Sequence, residues 1–405
     1  MNTAEPKPGF WTRPWGRFLI VFLFALPLLS GVIGKIHKSK SWMGDFEAVA
    51  CAAEKSLSGQ PLYDMALACP GMNPAVYVYI PVVAESAAAL VSVMGADGFR
   101  GAYIGLYLAS LALLAWFSFL RPATMDRPGT RIERVPFLAF VTGSAVTWAN
   151  VAVVAHAGVA LGAMLFRRWP WVLIGLIALG AVIKPVFLTF LAVVLFAAWP
   201  LWKRVVAFIA GATLGLAPTL AFMTSNDPRL TIWRETLDYF VYHLTPGESF
   251  FGWISLIGLD GRDPVSMGAY LIFAAALTLA GYAIAEGQKL SPESRVLLGL
   301  SLGTLLIPRL MSQDFFLLGP GLVVMGLAMR AGSGRIGPRL SKIMLGLCAF
   351  ALVGGAADLG DYTTKLATLG LALCVLTAGW LSVRQAPDAV LAPIRQALGL
   401  KAPQP

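Results

Sequence analysis

Polar and apolar residues in this chain are sorted into blocks much longer than a helical turn. Long apolar runs cover 17–35, 101–120, 205–223, 265–285, 314–330, 341–357 and 365–383, with shorter ones at 136–152, 153–166, 171–184, 186–201 and 295–308. A helix needs about 17 to 25 mostly apolar residues to cross a bilayer. The block pattern therefore predicts an all-α polytopic membrane protein with about twelve transmembrane helices. No repeat array is visible at periods of roughly 20 to 50 residues. No polar stretch is long enough for a soluble unit, so 1–405 is expected to be a single membrane-embedded domain.

Basic residues set the expected orientation, because Lys and Arg concentrate on the cytoplasmic side of membrane spans. Arg13 and Arg17 precede the first run, which puts 1–16 in the cytoplasm and 36–98 outside. The next basic cluster, "RPATMDRPGTRIER", holds Arg121, Arg127, Arg131 and Arg134 and belongs inside. Two apolar runs, 75–95 and 101–120, lie between; if both crossed, the cluster would land outside. The first of them, "AVYVYIPVVAESAAALVSVMG", contains Pro81 and Glu85. It is therefore assigned to the outer face as a juxtamembrane or re-entrant helix. The later runs then alternate, with Arg167, Arg168, Lys203, Arg204 and the segments "EGQKLSPESR" and "RAGSGRIGPR" inside. This arrangement leaves a long outer loop at 224–264 and a cytoplasmic tail at 384–405 with a short surface helix. Both termini are expected on the cytoplasmic side of a plasma (inner) membrane. The first run lacks a clear small-x-small cleavage site and reads as a retained span.

Composition agrees with the pattern. The chain is 58% hydrophobic and 13% charged, with mean hydropathy +0.73. A soluble domain carries roughly 25% charged residues, so there is too little charge here to coat a soluble surface. The net charge of +10 does not point to nucleic acid, because the basic residues sit in short clusters between apolar runs. Of four cysteines, Cys348 and Cys374 fall in apolar segments and read as inert core thiols. Cys51 and Cys69 lie in the expected outer loop, where either a disulfide or two free thiols is open. A bridge there contributes about 3 kcal/mol by closing the loop.

The polar residues collect at one face. His37, His156, His243, Lys184, Arg309, Gln313 and Asp314 all fall on or near the expected outer side, as does the acidic stretch "GDFEAVACAAEKSLSGQPLYD". Its Asp45, Glu47, Glu54 and Asp64 are expected to form the floor of a pocket. Asp45 stands near a helix start, where it is either a cap favoured by the dipole or a base tuned by desolvation. Lys184 and Arg309 end apolar runs, either snorkelling to the interface or gripping a lipid-borne phosphate. Asn150 and His156 lie by the turn between two runs, where hydrogen bonds between helices are the ordinary role. No HExxH, CxxC, Walker motif or GxGxxG on a strand–helix pair is present, so neither structural zinc nor nucleotide hydrolysis is expected.

Several fragments together resemble a known family. "GDFEAVACAAEKSLSGQPLYD" is similar to the first outer loop of GT-C glycosyltransferases, and more narrowly of glycosyltransferase family 87, the polyprenol-phosphate-mannose-dependent type. Asp45-Phe46, the small residues Ala50 to Ala53, and Gly59-Gln60-Pro61-Leu62-Tyr63 carry the likeness. "YVYIPVVA" resembles the family's Tyr-Pro-Pro segment through Tyr79 and Pro81. "TWANVAVV" resembles its Gly-Gln-x-Asn turn through Asn150, and "IKPVFLTF" its Lys-Pro segment through Lys184 and Pro185. "IPRLMSQDFFLLGPGL" resembles a late segment through Pro308, Phe315 and Phe316, without that segment's histidine. The likeness runs over about 13–330.

The resemblance implies a GT-C fold with outer-face juxtamembrane helices. It also implies an inverting transferase that passes a sugar, mannose or another hexose or pentose, from a polyprenyl phosphate to a lipid or glycan hydroxyl. Asp45 would be the general base. The donor phosphate would meet Lys184 and Arg309, with His243, Arg229 and Arg234 behind them. Glu47, Tyr63, Tyr79, Asn150, His156, Gln313, Asp314 and Trp233 are the expected sugar or acceptor contacts. No cofactor is expected, and dependence on a divalent metal is open. The partners would be donor, acceptor and membrane lipids, around a monomer or weak oligomer. The competing classes are a transporter or flippase of envelope precursors and a non-enzymatic assembly subunit.

Overall fold

The computed structural model describes residues 14–37, 42–65, 67–120, 131–240, 246–332, 336–357 and 359–400. Among these residues every regular element is a helix. Seven helices are long and apolar enough to cross a membrane: Trp15–His37, Pro81–Leu120, Leu201–Met223, Pro264–Gly287, Ser312–Gly332, Ile336–Ala356 and Gly360–Gln385. The protein is thus an all-α, multi-pass membrane type. Four of the other five expected runs form shorter apolar helices, Val151–Leu165, Pro170–Ile183 and Pro185–Phe196, together with Pro292–Leu306.

The N-terminal elements build the frame for the polar residues. They are α1 (Pro14–His37), α2 (Gly44–Leu57) and α3 (Pro81–Ala115). None of the most apolar window of α1 is buried, although the helix packs along one side on residues 135–140 and 143–147. α2 is the reverse: Phe46 and the small residues from Ala48 to Ala53 are all buried, and it packs closely on α3. Gly95, at φ 73° and ψ 165°, breaks α3 into two helices, 81–94 and 96–115. Residues with a Cβ avoid that backbone. Charge parity divides the same stretch into two helices.

The following segments are more broken than hydropathy suggests. After α4 (Arg131–Arg134), run 136–152 is not one helix. It is a 3-10 turn (Val135–Phe140), an extended Val141, and α5 (Gly143–Thr147). Pro136 suits the opening of a turn but not a helix interior. α6 (Val151–Leu165) and α7 (Pro170–Ile183) form a tight pair. Pro185 then ends α7, because a residue before proline is driven to extended backbone. Lys184 adopts φ −138° and ψ 109°. A 3-10 turn (Pro185–Leu191) and α8 (Ala192–Phe196) follow.

The C-terminal half is more regular. α9 (Leu201–Met223), α10 (Arg229–Asp238), α11 (Phe250–Ser255), α12 (Pro264–Gly287) and α13 (Pro292–Leu306) lead to a 3-10 turn (Ser312–Leu317) and α14 (Leu318–Gly332). α15 (Ile336–Ala356), α16 (Gly360–Gln385) and α17 (Pro387–Ala397) complete the described chain. Three helix ends meet at Glu286, whose Oε1 accepts from Arg204 Nη1 at 2.7 Å while both of its oxygens accept from Arg295 at 2.7 and 2.8 Å. All three side chains are buried, so two arginines that read as topology signals are also a polar tie between α9, α12 and α13. A buried carboxylate held by two guanidiniums has its lone pairs satisfied, the condition under which such a cluster is tolerated.

Candidate functional site

Asp45 and Asn150 are brought together by backbone pairing. Met43 N–H donates to Thr147 C=O at 2.9 Å, and Asp45 N–H donates to Trp148 C=O at 3.1 Å. This seats the first turn of α2 against the segment between α5 and α6. Gly44 is required there, since a Cβ would lie 2.7 Å from the Trp148 ring. Met43 and Ala149 have φ of 63° and 50°, two of three non-glycine residues at positive φ among those described. Strained backbone of this kind persists only where surrounding contacts over-determine it. Tyr103 supplies one such contact, donating its hydroxyl to Ala149 C=O at 2.7 Å while its ring stacks on Phe46.

Asn150 is the N-cap of α6. Its Oδ1 accepts from Ala152 N–H at 2.8 Å and from Lys184 Nζ at 3.2 Å. With the carbonyl oxygen so occupied, the amide nitrogen must point the other way, and Nδ2 donates to Asp45 Oδ2 at 2.7 Å. The result is an Asp45–Asn150–Lys184 chain across three elements. Burial pushes the Asp45 carboxyl above the ordinary carboxylate range. The Asn150 hydrogen bond and then the charges of Lys184, Lys35 and Arg309 oppose that shift without cancelling it.

A second polar pair adjoins the chain. His156 Nε2 donates to Asp314 Oδ1 at 2.9 Å, both groups being buried. Asp314 Oδ2 accepts from Met311 N–H at 3.0 Å, and the His156 ring packs against Phe187 and Phe190. Asp314 and Asp45 both act electrostatically on Lys184, and both act on the buried Tyr79 hydroxyl. Arg309 lies within electrostatic range of Asp45 and Asp314 and donates to Phe240 C=O at 3.3 Å. Its backbone is held by the loop before α11, where Glu248 N–H donates to Leu310 C=O at 2.7 Å and Phe251 N–H to Pro308 C=O at 3.0 Å. Asp45, Asn150, Lys184, Arg309, His156, Asp314 and Tyr79 thus share one neighbourhood.

Other expected contacts are engaged elsewhere. Glu47 is bonded to Arg100 and accepts from Asn73 N–H at 2.8 Å. Two residues apart on a helix, Asp45 and Glu47 do not share a face. Glu54 lines a small cavity with Asp97 and Arg100, and Asp64 is exposed. The four acids therefore do not form one floor; Asp45 reaches the site and its neighbours point away. Arg229 pairs with Asp227 at 2.6 Å and Glu85 at 3.0 Å. Arg234 donates to Met223 C=O at 3.3 Å. Trp233 is buried, its indole N–H donating to Val78 C=O at 3.1 Å. Tyr63 donates to Tyr79 C=O at 2.8 Å, tying the loop beneath the site. Gln313 is buried beside Asp314, accepting from Ser312 at 3.4 Å. His243 lies outside the described residues.

Cys51 and Cys69 form a disulfide, with their Cα atoms 5.7 Å apart. It joins α2 to the loop that follows it. Lys35 was not among the expected residues. It acts on Asp45 and sits over the Trp148 ring at 4.2 Å. Its one sequence signal, a cation in the last turn of the first apolar run, is the same as for ordinary snorkelling. Among the described residues no three His, Cys, Asp or Glu side chains converge as a metal-ligand set. Comparison with protein-family models, with curated proteins and with solved structures gave no match.

Proposed function

We propose that this protein is a membrane glycosyltransferase of the GT-C type, taking a sugar from a polyprenyl phosphate and passing it to an acceptor hydroxyl outside the cytoplasm. The observation that carries this reading is the Asp45–Asn150–Lys184 chain with Arg309 beside it. A half-buried carboxylate held above its usual pKa is a better proton acceptor than an exposed one near neutrality. In the reaction, the acceptor O–H proton passes to Asp45 as its oxygen bonds to the anomeric carbon. The bond from that carbon to the phosphate oxygen breaks with its electron pair, leaving polyprenyl phosphate and an inverted anomeric centre. Lys184 and Arg309 offset the charge gained by the phosphate, and Asn150 holds both Asp45 and Lys184 in register.

An apolar cavity of about 540 Å³, lined by Leu188, Thr189, Phe208, Ala274, Tyr270 and Leu306, suits an isoprenoid tail. Leu306 in its lining is three residues before Arg309. The Cys51–Cys69 bridge supports an extracytoplasmic loop, since disulfides persist in oxidising compartments. In this reading the short and broken helices supply the crossings beyond seven, reaching about twelve, with both termini in the cytoplasm.

The test is transfer from a panel of polyprenyl-phosphate sugars in membranes, followed by mass spectrometry. Asp45→Asn is expected to keep wild-type expression and melting temperature and to lose at least about a hundredfold in rate, the scale of a general base. Near-normal transfer by that variant removes Asp45 as the base. Movement of substrate across vesicles with no new glycosidic bond assigns the chain to transport instead.

A further inference from the structure

A second cavity opens at the other end of the bundle. It lies between α1, α14 and α15 and has a volume of about 400 Å³. Arg330 on its rim is 16 residues beyond Asp314, so α14 and its leading turn carry it roughly 25 Å from the candidate site. That is most of the thickness of a bilayer's hydrocarbon core. The two places therefore stand at opposite ends of one candidate membrane-crossing helix, Ser312–Gly332, and the groove does not depend on the enzymatic reading.

The lining is sorted by polarity. Ile20, Phe24, Phe137, Leu327, Met344 and Leu345 make an apolar wall, while Glu133, Arg330, Ser341 and Lys342 gather at one end. Arg330 donates to Glu133 Oε1 at 2.9 Å and to Ser341 Oγ at 3.0 Å, which holds its guanidinium at the rim. Lys342 is exposed there. Arg17, also exposed, lies one turn before Ile20 on the same face of α1. The two lining cations, with Arg17 nearby on α1, outnumber the one lining carboxylate. Cys348 marks the apolar end, six residues deeper along α15 than Lys342, or about 9 Å.

An apolar slot with a basic mouth matches an amphiphile carrying negative charge. Basic pockets between transmembrane helices take anionic headgroups for this reason. We propose that this groove binds an acyl chain of an anionic phospholipid from the leaflet opposite the candidate site, with Arg17, Arg330 and Lys342 facing its phosphate.

The test uses the full-length protein in uncharged detergent. Phosphatidylglycerol and phosphatidylcholine with identical chains are added in equal amounts, and retained lipid is read by native mass spectrometry. Wild type is expected to prefer phosphatidylglycerol, and each of Lys342→Gln and Arg17→Gln to lower that preference by about fivefold. Both changes lie at exposed positions, so melting temperature should hold. Cys348→Phe, which fills the apolar end, is expected to lower retention of both lipids. Equal retention of the two lipids by wild type, or full preference in the double Gln variant, overturns the proposal. A lipid-free dimer as the main species also overturns it, because the groove is then an interface between copies.

Discussion

Asn150 is the residue on which the candidate site turns. Its carboxamide is oriented by a backbone donor, so the direction of its amide nitrogen is a consequence of helix capping. Asn150→Ala removes the cap, a loss of about 1 kcal/mol in stability, and frees both Asp45 and Lys184. Transfer should fall by about tenfold to a hundredfold, the value of a hydrogen bond to a charged group. Asn150→Asp keeps an oxygen for Ala152 N–H but sets a second carboxylate against Asp45. It should keep the cap yet transfer less than the alanine variant; near-wild-type transfer by the alanine variant would deny the hydrogen bond its role. At this scale Asp45, Lys184 and Arg309 were legible because each is a charge at the edge of an apolar block. Lys35 was equally charged and equally placed, so nothing separated it from a snorkelling lysine. Glu47, Arg229 and Arg234 have partners outside the neighbourhood of Asp45, which sequence could not show because it gives charge but not its partner.

Among elements, the loop before α11 matters most. It pairs through its backbone with the turn that carries Arg309, and Glu248 is its charged member. Burial first, then the neighbouring Asp361, pushes the Glu248 carboxyl up to about 8, against the opposing charge of Lys365. A raised carboxyl binds its proton more tightly in the folded state than in the unfolded one. Stability is therefore fully supported below the ordinary glutamate range and declines as pH rises toward 8, by at most about 1.4 kcal/mol per pH unit. Glu248→Gln should abolish this slope. Melting temperatures from about pH 6 to about pH 9 should fall for wild type and stay flatter for the variant, and parallel curves would exclude the mechanism. Hydropathy and charge located most of the long helices and the breaks near Gly95 and Lys184, but not the one at Val141. There extended backbone interrupts a continuous apolar run, and a count of apolar residues is blind to it.

For the molecule as a whole, the helical membrane class was readable from block length and scarcity of charge alone. The number of crossings was not, because a short apolar helix looks the same whether it crosses or packs inside. Orientation can be measured directly. Asp64→Cys and Arg167→Cys both place a thiol at an exposed position, while Cys348 and Cys374 are buried and Cys51 and Cys69 are bonded. An impermeant maleimide on intact cells should label the first variant, and the second only after permeabilisation. The reverse pattern would turn the site toward the cytosol and end the proposed reaction. Cys51→Ser should lower stability by about 3 kcal/mol at most, read as a drop in melting temperature that reductant reproduces in wild type.

The hydrogen bond between Asn150 and Asp45 joins residues 105 positions apart, and Asp314 arrives later still. During synthesis α2 is therefore complete long before its counterparts emerge from the ribosome. Its acidic first turn must wait in solvent until α6 is made and α5 has docked. A nascent chain arrested after α3 would carry the carboxylate without Asn150 to hold it, so the candidate site is assembled only once most of the bundle has been inserted.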